Sequence, residues 1–155
     1  MNLRVETSCV RHRRSSRQAV VVDETAIGKG VFAARPYPER SVVGEITGEV
    51  IDDPDYTSDY CIELNETLSL EPAAPFRFLN HSCEPNCEFD FDSIEEPADG
   101  RTPAIPPIFV YAIRNIEAGE QLTIDYNWPA SHAIPCECGA VSCRGWVVSE
   151  DEMFD

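Results

Sequence analysis

Lysine is almost missing from this chain: Lys29 stands alone beside eleven arginines. Positive charge of any kind is scarce, with 12 Lys and Arg against 28 Asp and Glu in 155 residues, a formal net charge of −16. The shortage is uneven. Residues 1–40 hold eight Lys and Arg against four acids, whereas residues 41–155 hold four arginines against twenty-four acids. So acidic a body repels nucleic-acid phosphates, which argues against direct nucleic-acid binding, and it steers basic partners toward itself. The same acidity also serves solubility. The cluster Arg11, Arg13, Arg14 and Arg17 could touch nucleic acid, but it reads better as a solvated arm or as a partner for the protein's own acidic surface.

Long apolar runs are also missing. Runs such as Ala19 to Val22 are far too short to span a bilayer, so no membrane role is expected. No apolar stretch of the secretory kind follows the N-terminal arginines, and the expectation is a soluble intracellular protein. Long amphipathic helical patterns and internal repeats are lacking too. At 43% hydrophobic residues the chain can still bury a core, and its length suits one domain.

What is present is a series of short β-branched segments cut by Gly and Pro. Ala19 to Val22 reads as a strand, and Ile27 to Phe32 as a glycine-opened turn entering another. Ser41 to Ile51, with Gly44 and Gly48, suits two short strands joined at a bend. Asp52 to Asp55 is a turn, and Tyr60 to Leu64 reads as a strand. Pro72 and Pro75 break the chain before Phe76, and acidic, proline-rich Glu88 to Pro107 reads largely as an exposed loop. Ile108 to Ile113 is a strand, and Ile116 to Glu120 a turn feeding the strand Gln121 to Ile124. The whole points to a mostly β fold.

There are seven cysteines: Cys9, Cys61, Cys83, Cys87, Cys136, Cys138 and Cys143. An odd number without a secretory signal argues against a disulfide scaffold. Cys136, Cys138 and Cys143 put three thiols within eight residues, and thiolates favour tetrahedral zinc, which takes four ligands. The fourth comes from elsewhere: Cys83 and Cys87 are the obvious donors, and His81 is chemically possible. The segment Asn80-His81-Ser82-Cys83-Glu84-Pro85-Asn86-Cys87 is dense in side chains that hydrogen-bond the backbone, and by itself it reads as a loop of Asx-type turns. Gly28-Lys29-Gly30 is too short for a dinucleotide fingerprint.

In order, the motifs are Ile27-Gly28-Lys29-Gly30-Val31-Phe32-Ala33, Gly44 to Ile51, Arg77 to Cys87, Ala118 to Tyr126, and the three-cysteine tail with Arg144-Gly145-Trp146. This series resembles the SET-domain family with its post-SET zinc segment, over roughly residues 19–148. The resemblance implies a β-clip-like fold of small curved sheets, with a pseudoknot-like C-terminal segment and a zinc-bound tail. It divides the chain into a basic arm (1–18), a SET catalytic domain (19–128), a post-SET zinc segment (129–148) and an acidic tail (149–155). It implies an S-adenosylmethionine-dependent methyltransferase acting on the ε-amine of lysine in a protein, such as a histone or another basic segment. Tyr126 would be the catalytic tyrosine. Gly28, Lys29, Gly30, Tyr60, Asn80, His81, Trp146 and Val147 would bind the methyl donor. Ile124, Tyr126 and Trp146 would line the lysine channel. One structural zinc would be held by Cys83, Cys136, Cys138 and Cys143, leaving Cys87 unassigned.

The sequence departs from the family just before Arg77, where Leu70 to Phe76 lacks the Asp-Ala and Gly-Asn that many members carry. Ile124 sits where the family often has Phe or Tyr, and being apolar it implies transfer of more than one methyl. Two other readings stand beside the enzyme: a catalytically silent, zinc-stabilised SET-fold binding module, and a zinc-binding interaction domain unrelated to methyl transfer. The oligomeric state is left open.

Overall fold

The computed structural model describes residues 19–153 except 93, 95, 96 and 102. The basic arm read over residues 1–18, and the last two residues of the acidic tail, lie outside the described residues. Among the described residues there are twelve strands and no α-helix, with 3-10 turns at Phe76–Phe78, Ala130–His132 and Glu150–Glu152. The fold is mostly β, as the spacing of Gly and Pro predicts.

The chain opens with a hairpin. Strand β1 (Val20–Thr25) pairs antiparallel with β2 (Gly28–Ala33) across a two-residue turn. Gly28 takes φ +111° there, a conformation that L side chains rarely adopt. Next, β3 (Val42–Ile46) and β4 (Gly48–Asp52) meet at the bend that Gly48 allows. Each joins a different sheet. β4 pairs with β6 (Leu68–Pro72), which pairs in turn with β5 (Ile62–Glu63). β3 pairs with β9 (Ile108–Ala112), whose other edge takes β8 (Cys87–Asp90). β10 (Gln121–Ile124) completes the first sheet, lying between β2 and the two-residue β7 (Asn80–His81). In the tail β11 (Ile134–Pro135) pairs with β12 (Trp146–Val147).

The sheets wrap around one core. Alternation along β9 sends Ile108, Val110 and Ala112 inward, and Val31 of β2 and Leu122 of β10 are fully buried. Each such aliphatic side chain contributes about 1.5–3 kcal/mol by leaving water.

Three readings need correction. Asn80-His81, read as part of a turn-rich loop, is a strand, because its partner β10 lies some forty residues away and leaves no local signal. The start of Glu88 to Pro107 is not loop: Cys87–Asp90 is β8, with Cys87 buried while acidic Glu88 is exposed. Tyr60 lies outside its expected strand, which shrinks to Ile62–Glu63. The strand Leu68–Pro72 had no counterpart in the sequence reading.

Candidate functional site

The site is built where β7 and β10 run side by side in parallel, Thr123 opposite Asn80 and Ile124 opposite His81. A two-residue ladder is weak, so side chains complete it. The Asn86 carboxamide donates to the Gln121 carbonyl at 2.8 Å and accepts the Thr123 N–H at 2.9 Å, acting like a short length of strand. Asn80 Nδ2 donates to the Lys29 carbonyl at 3.1 Å and to Gln121 Oε1 at 3.0 Å, tying β7 to β2 and β10. This close approach requires Gly30: a Cβ there would lie 2.8 Å from Gln121 Oε1 and 3.2 Å from Asn80 Nδ2. The Asn80-His81 segment is thus held against both β2 and β10.

Tyr126 leaves the end of β10 and folds back over β7. Its backbone N–H donates to His81 Nδ1 at 3.2 Å, and its hydroxyl donates to the Leu79 carbonyl at 2.7 Å. Its ring lies 5.4 Å from the His81 ring and 5.3 Å from that of Trp128. Burial, with Tyr60 close enough to add repulsion, pushes the Tyr126 phenol up to about 12. At neutral pH it is therefore an uncharged donor whose proton is committed to Leu79. The lone pairs of its oxygen remain available to another group.

His81 Nδ1 also lies 3.5 Å from an Asp125 oxygen, an attractive pair were the ring protonated. Burial lowers the His81 pKa, and Nδ1 already accepts the Tyr126 N–H. The ring is therefore neutral, with its proton on Nε2, which lies 3.4 Å from Cys83 Sγ.

Beyond His81 the thiols of Cys83, Cys136, Cys138 and Cys143 converge, all four sulfurs within 4.8 Å of one another. Cys83 Sγ is 3.7 Å from Cys136 Sγ and 4.0 Å from Cys143 Sγ. A tetrahedral zinc with bonds of about 2.3 Å requires sulfurs about 3.8 Å apart. Backbone N–H groups of Arg144 and Gly145 point at Cys83 and Cys143 sulfur, 3.4 Å each, as donors suited to thiolates. Donor type, number and spacing fit a closed structural zinc site. Cys87 takes no part: it is buried in the core, where loss of solvent pushes its thiol up to about 12. His81 faces the cluster without being one of the four.

Arg144 joins this cluster to the tyrosine. Its guanidinium grips Asp125 with two bonds, 2.7 and 2.9 Å, with side-chain exposures of 12% and 19%. Burial alone would raise the Asp125 pKa. The Arg144 hydrogen bonds and the Asn127 N–H outweigh it, and the carboxyl stays below its usual range. Removing one partner leaves a half-buried charge alone. Arg144→Ala should cost about 2 kcal/mol in urea unfolding, and Asp125→Ala/Arg144→Ala should cost less than that single variant. Additive losses would show that the pair is not coupled.

The other residues singled out in the sequence surround this centre unevenly. Gly28, Lys29 and Gly30 begin β2, and the Lys29 ammonium sits 5.2 Å from the Phe78 ring. The Tyr60 ring meets Phe78 edge-on at 6.4 Å and is 43% exposed. Ile124 is buried beside His81. Val147 is buried, whereas Trp146 is 51% exposed, a large aromatic face open to solvent. A groove of about 460 Å³ beside Val20 and Phe76, and another of about 260 Å³ beside Thr47 and Pro106, are not lined by Tyr126, His81 or the four cysteines. Geometry, not cavity size, marks the site. Sequence reasoning gave no role to Asn86, Trp128 or the Asp125–Arg144 pair. The only signal was that Asn86, Asp125 and Arg144 are polar residues inside the quoted motifs.

The chain is similar to known proteins over most of its length. The chain is 32% identical over 135 residues to histone-lysine N-methyltransferase ash1 of Drosophila melanogaster, covering 76% of this chain and 6% of that protein. It is 33% identical over 150 residues to histone-lysine N-methyltransferase 2B of Homo sapiens, covering 85% of this chain and 5% of that protein. It thus spans only a small part of these relatives' length. Among solved structures, KRYPTONITE in complex with mCHH DNA, H3(1-15) peptide and SAH superposes with a TM-score of 0.66 at 26% identity, over 83% of this chain and 29% of that one. The family model described as SET domain matches residues 28–127, well over half of the sequence, and the chain belongs to the SET-domain family.

Proposed function

We propose that the chain is an S-adenosylmethionine-dependent protein-lysine methyltransferase acting on a basic, histone-like segment. The observation that carries the reading is Tyr126, a half-buried neutral phenol whose proton is given to the Leu79 carbonyl beside Asn80 and His81. The names of the relatives and the SAH and H3 peptide of the KRYPTONITE complex support it. The acidic body suits a positively charged substrate. In this reading residues 19–128 are the catalytic domain, 129–148 the zinc segment, 1–18 a basic arm and 149–155 an acidic tail.

Gly28, Lys29 and Gly30 hold the donor through backbone groups, with Tyr60, Asn80, His81, Trp146 and Val147 as its other contacts. When bound, S-adenosylmethionine supplies a methyl group on a positively charged sulfur. The chain must deliver a neutral amine to it. Taking a free lysine from its pKa of about 10.4 to neutrality at pH 7 costs about 4–5 kcal/mol. A dry channel with a like charge near its end lowers that pKa, so bulk water can accept the proton before attack. Tyr126 then orients the amine through its free lone pairs. Such alignment can remove up to about 7–11 kcal/mol of barrier. Cys83, Cys136, Cys138 and Cys143 hold one zinc, whose four thiolates leave no position open for water. Its role is to pin the tail that carries Trp146.

Ile124 sets the number of methyl groups. An apolar side chain buried beside His81 cannot hydrogen-bond the amine or a water, so Ile124 does not hold a methylated amine in an unproductive orientation. Mass spectrometry of exhausted reactions should find di- or trimethyl product from the wild type and a stop at monomethyl from Ile124→Tyr. Monomethyl product alone from both would overturn this role.

The function is tested by titrating the protein with S-adenosylmethionine in a calorimeter, then measuring radiolabelled methyl transfer to histones and other basic proteins. Heat of binding followed by label on lysine is the expected result. No binding would remove the methyltransferase reading. Binding without transfer to any protein would leave the silent module.

A further inference from the structure

The polar cluster at Glu71 is not used by the mechanism above. Glu71 lies on β6, in the stretch where the sequence departs from its family, and its carboxylate holds two different neighbours of Tyr60. One arm runs through the loop. Ser58 Oγ donates to Glu71 Oε2 at 2.5 Å, and the same oxygen accepts the backbone N–H groups of Tyr60 at 3.2 Å and Cys61 at 3.0 Å. A hydroxyl has one proton and two lone pairs. Giving the proton to Glu71 turns both lone pairs toward the loop, so the carboxylate fixes the Ser58 rotamer that holds Tyr60. Tyr56 also donates to Oε2, at 3.1 Å, pinning the start of the same loop.

The second arm runs through a cation. Arg77 Nη2 pairs with Glu71 Oε1 at 3.5 Å, and the guanidinium carbon lies 4.3 Å from the centre of the Tyr60 ring. A guanidinium over an aromatic face is attractive, and its carboxylate partner determines where it sits. One arm thus holds the Tyr60 backbone and the other its ring. The ring leans edge-on against Phe78, close enough to Tyr126 to raise that phenol's pKa.

We propose that Glu71 is a positioning residue: through Ser58 and Arg77 it holds Tyr60 at the mouth of the methyl-donor site. The proposal rests on the methyltransferase reading for its consequence, though not for its geometry. With Glu71 gone, Ser58 loses its preferred rotamer and Arg77 its carboxylate. Tyr60, already 43% exposed, swings out.

The test uses the full chain with its tyrosine rings labelled with carbon-13, the Tyr60 signal being assigned through Tyr60→Phe. In Glu71→Ala the Tyr60 signal should move toward its solvent position while that of Tyr126 stays. The dissociation constant for S-adenosylmethionine should rise about tenfold, the scale of losing a charge-assisted hydrogen bond. Glu71→Gln, which keeps an acceptor for Ser58 but no charge for Arg77, should fall between. In a Tyr60→Ala background the Glu71 substitution should no longer weaken donor binding. An unmoved Tyr60 signal in both Glu71 variants, or an undiminished loss in the Tyr60→Ala background, overturns the proposal. A wild type that binds no S-adenosylmethionine ends the methyltransferase reading instead, and the tyrosine spectra still decide what Glu71 does.

Discussion

Tyr126→Phe should lower the rate of methyl transfer by about 10²–10³-fold, the usual loss when a preorganised polar group at the reacting centre is removed. Binding of S-adenosylmethionine should stay within about twofold, because the phenol acts on the amine. The substitution keeps the ring that packs between His81 and Trp128 and removes one hydrogen bond to Leu79, so stability should fall by only about 1 kcal/mol. Single-turnover rates beside calorimetric titrations separate the two effects. A variant with wild-type rate would exclude Tyr126 from the chemistry. The pH profile adds a second check. A phenol at its ordinary pKa of 10.0 is about one-tenth ionised at pH 9, whereas one pushed up to about 12 is ionised about once in a thousand molecules. The rate should therefore climb with pH as the amine loses its proton, and loss of the phenol should not appear near pH 10.

Removing the metal should be nearly as damaging, by a different route. Treatment with a strong chelator should release one zinc per chain and abolish methyl transfer, with recovery when zinc is returned. The bound metal contributes on the order of 10 kcal/mol to order in its ligand segment, more than a two-residue ladder between β11 and β12 can replace. Hydrogen exchange should accelerate over residues 133–148 while amides in β2, β9 and β10 keep their protection. Arg144 carries the damage inward: its N–H meets Cys83 sulfur and its guanidinium holds Asp125, the residue before Tyr126. Full activity in protein shown to be metal-free would separate the cysteine cluster from catalysis.

Legibility in the sequence follows the range of the interactions. Gly28–Ala33 could be read because a glycine turn opens it, and Ile108–Ala112 and Gln121–Ile124 because buried residues alternate within them. The bend at Gly48 was legible for the same local reason. Asn80-His81 was not, since its strand character comes from a parallel partner far along the chain, while its own residues favour turns. Leu68–Pro72 was hidden by its closing proline, and Cys87–Asp90 by acidic neighbours that merely face water. At the site, residue types pointed to the cysteine cluster, because sulfur donors at short spacing have few other uses. The Arg144–Asp125 grip is a tertiary contact between two ordinary surface-type residues, and no spacing rule predicts it. Glu71 is of the same kind.

The crossing of β7 and β10 also bears on how the protein is made. Asn80 and its partner Gln121 are 41 residues apart, and Asn86 must reach both Gln121 and Thr123. At about 5–20 residues per second, a ribosome adds the intervening stretch in roughly 2–8 seconds. Throughout that interval the Asn-His segment waits for its strand partner, with only the Lys29 carbonyl of β2 already made. A nascent chain halted before Ile124 can hold its first hairpin, yet it lacks the tyrosine of the proposed reaction centre, and in that reading competence arrives only once the late strand slides home.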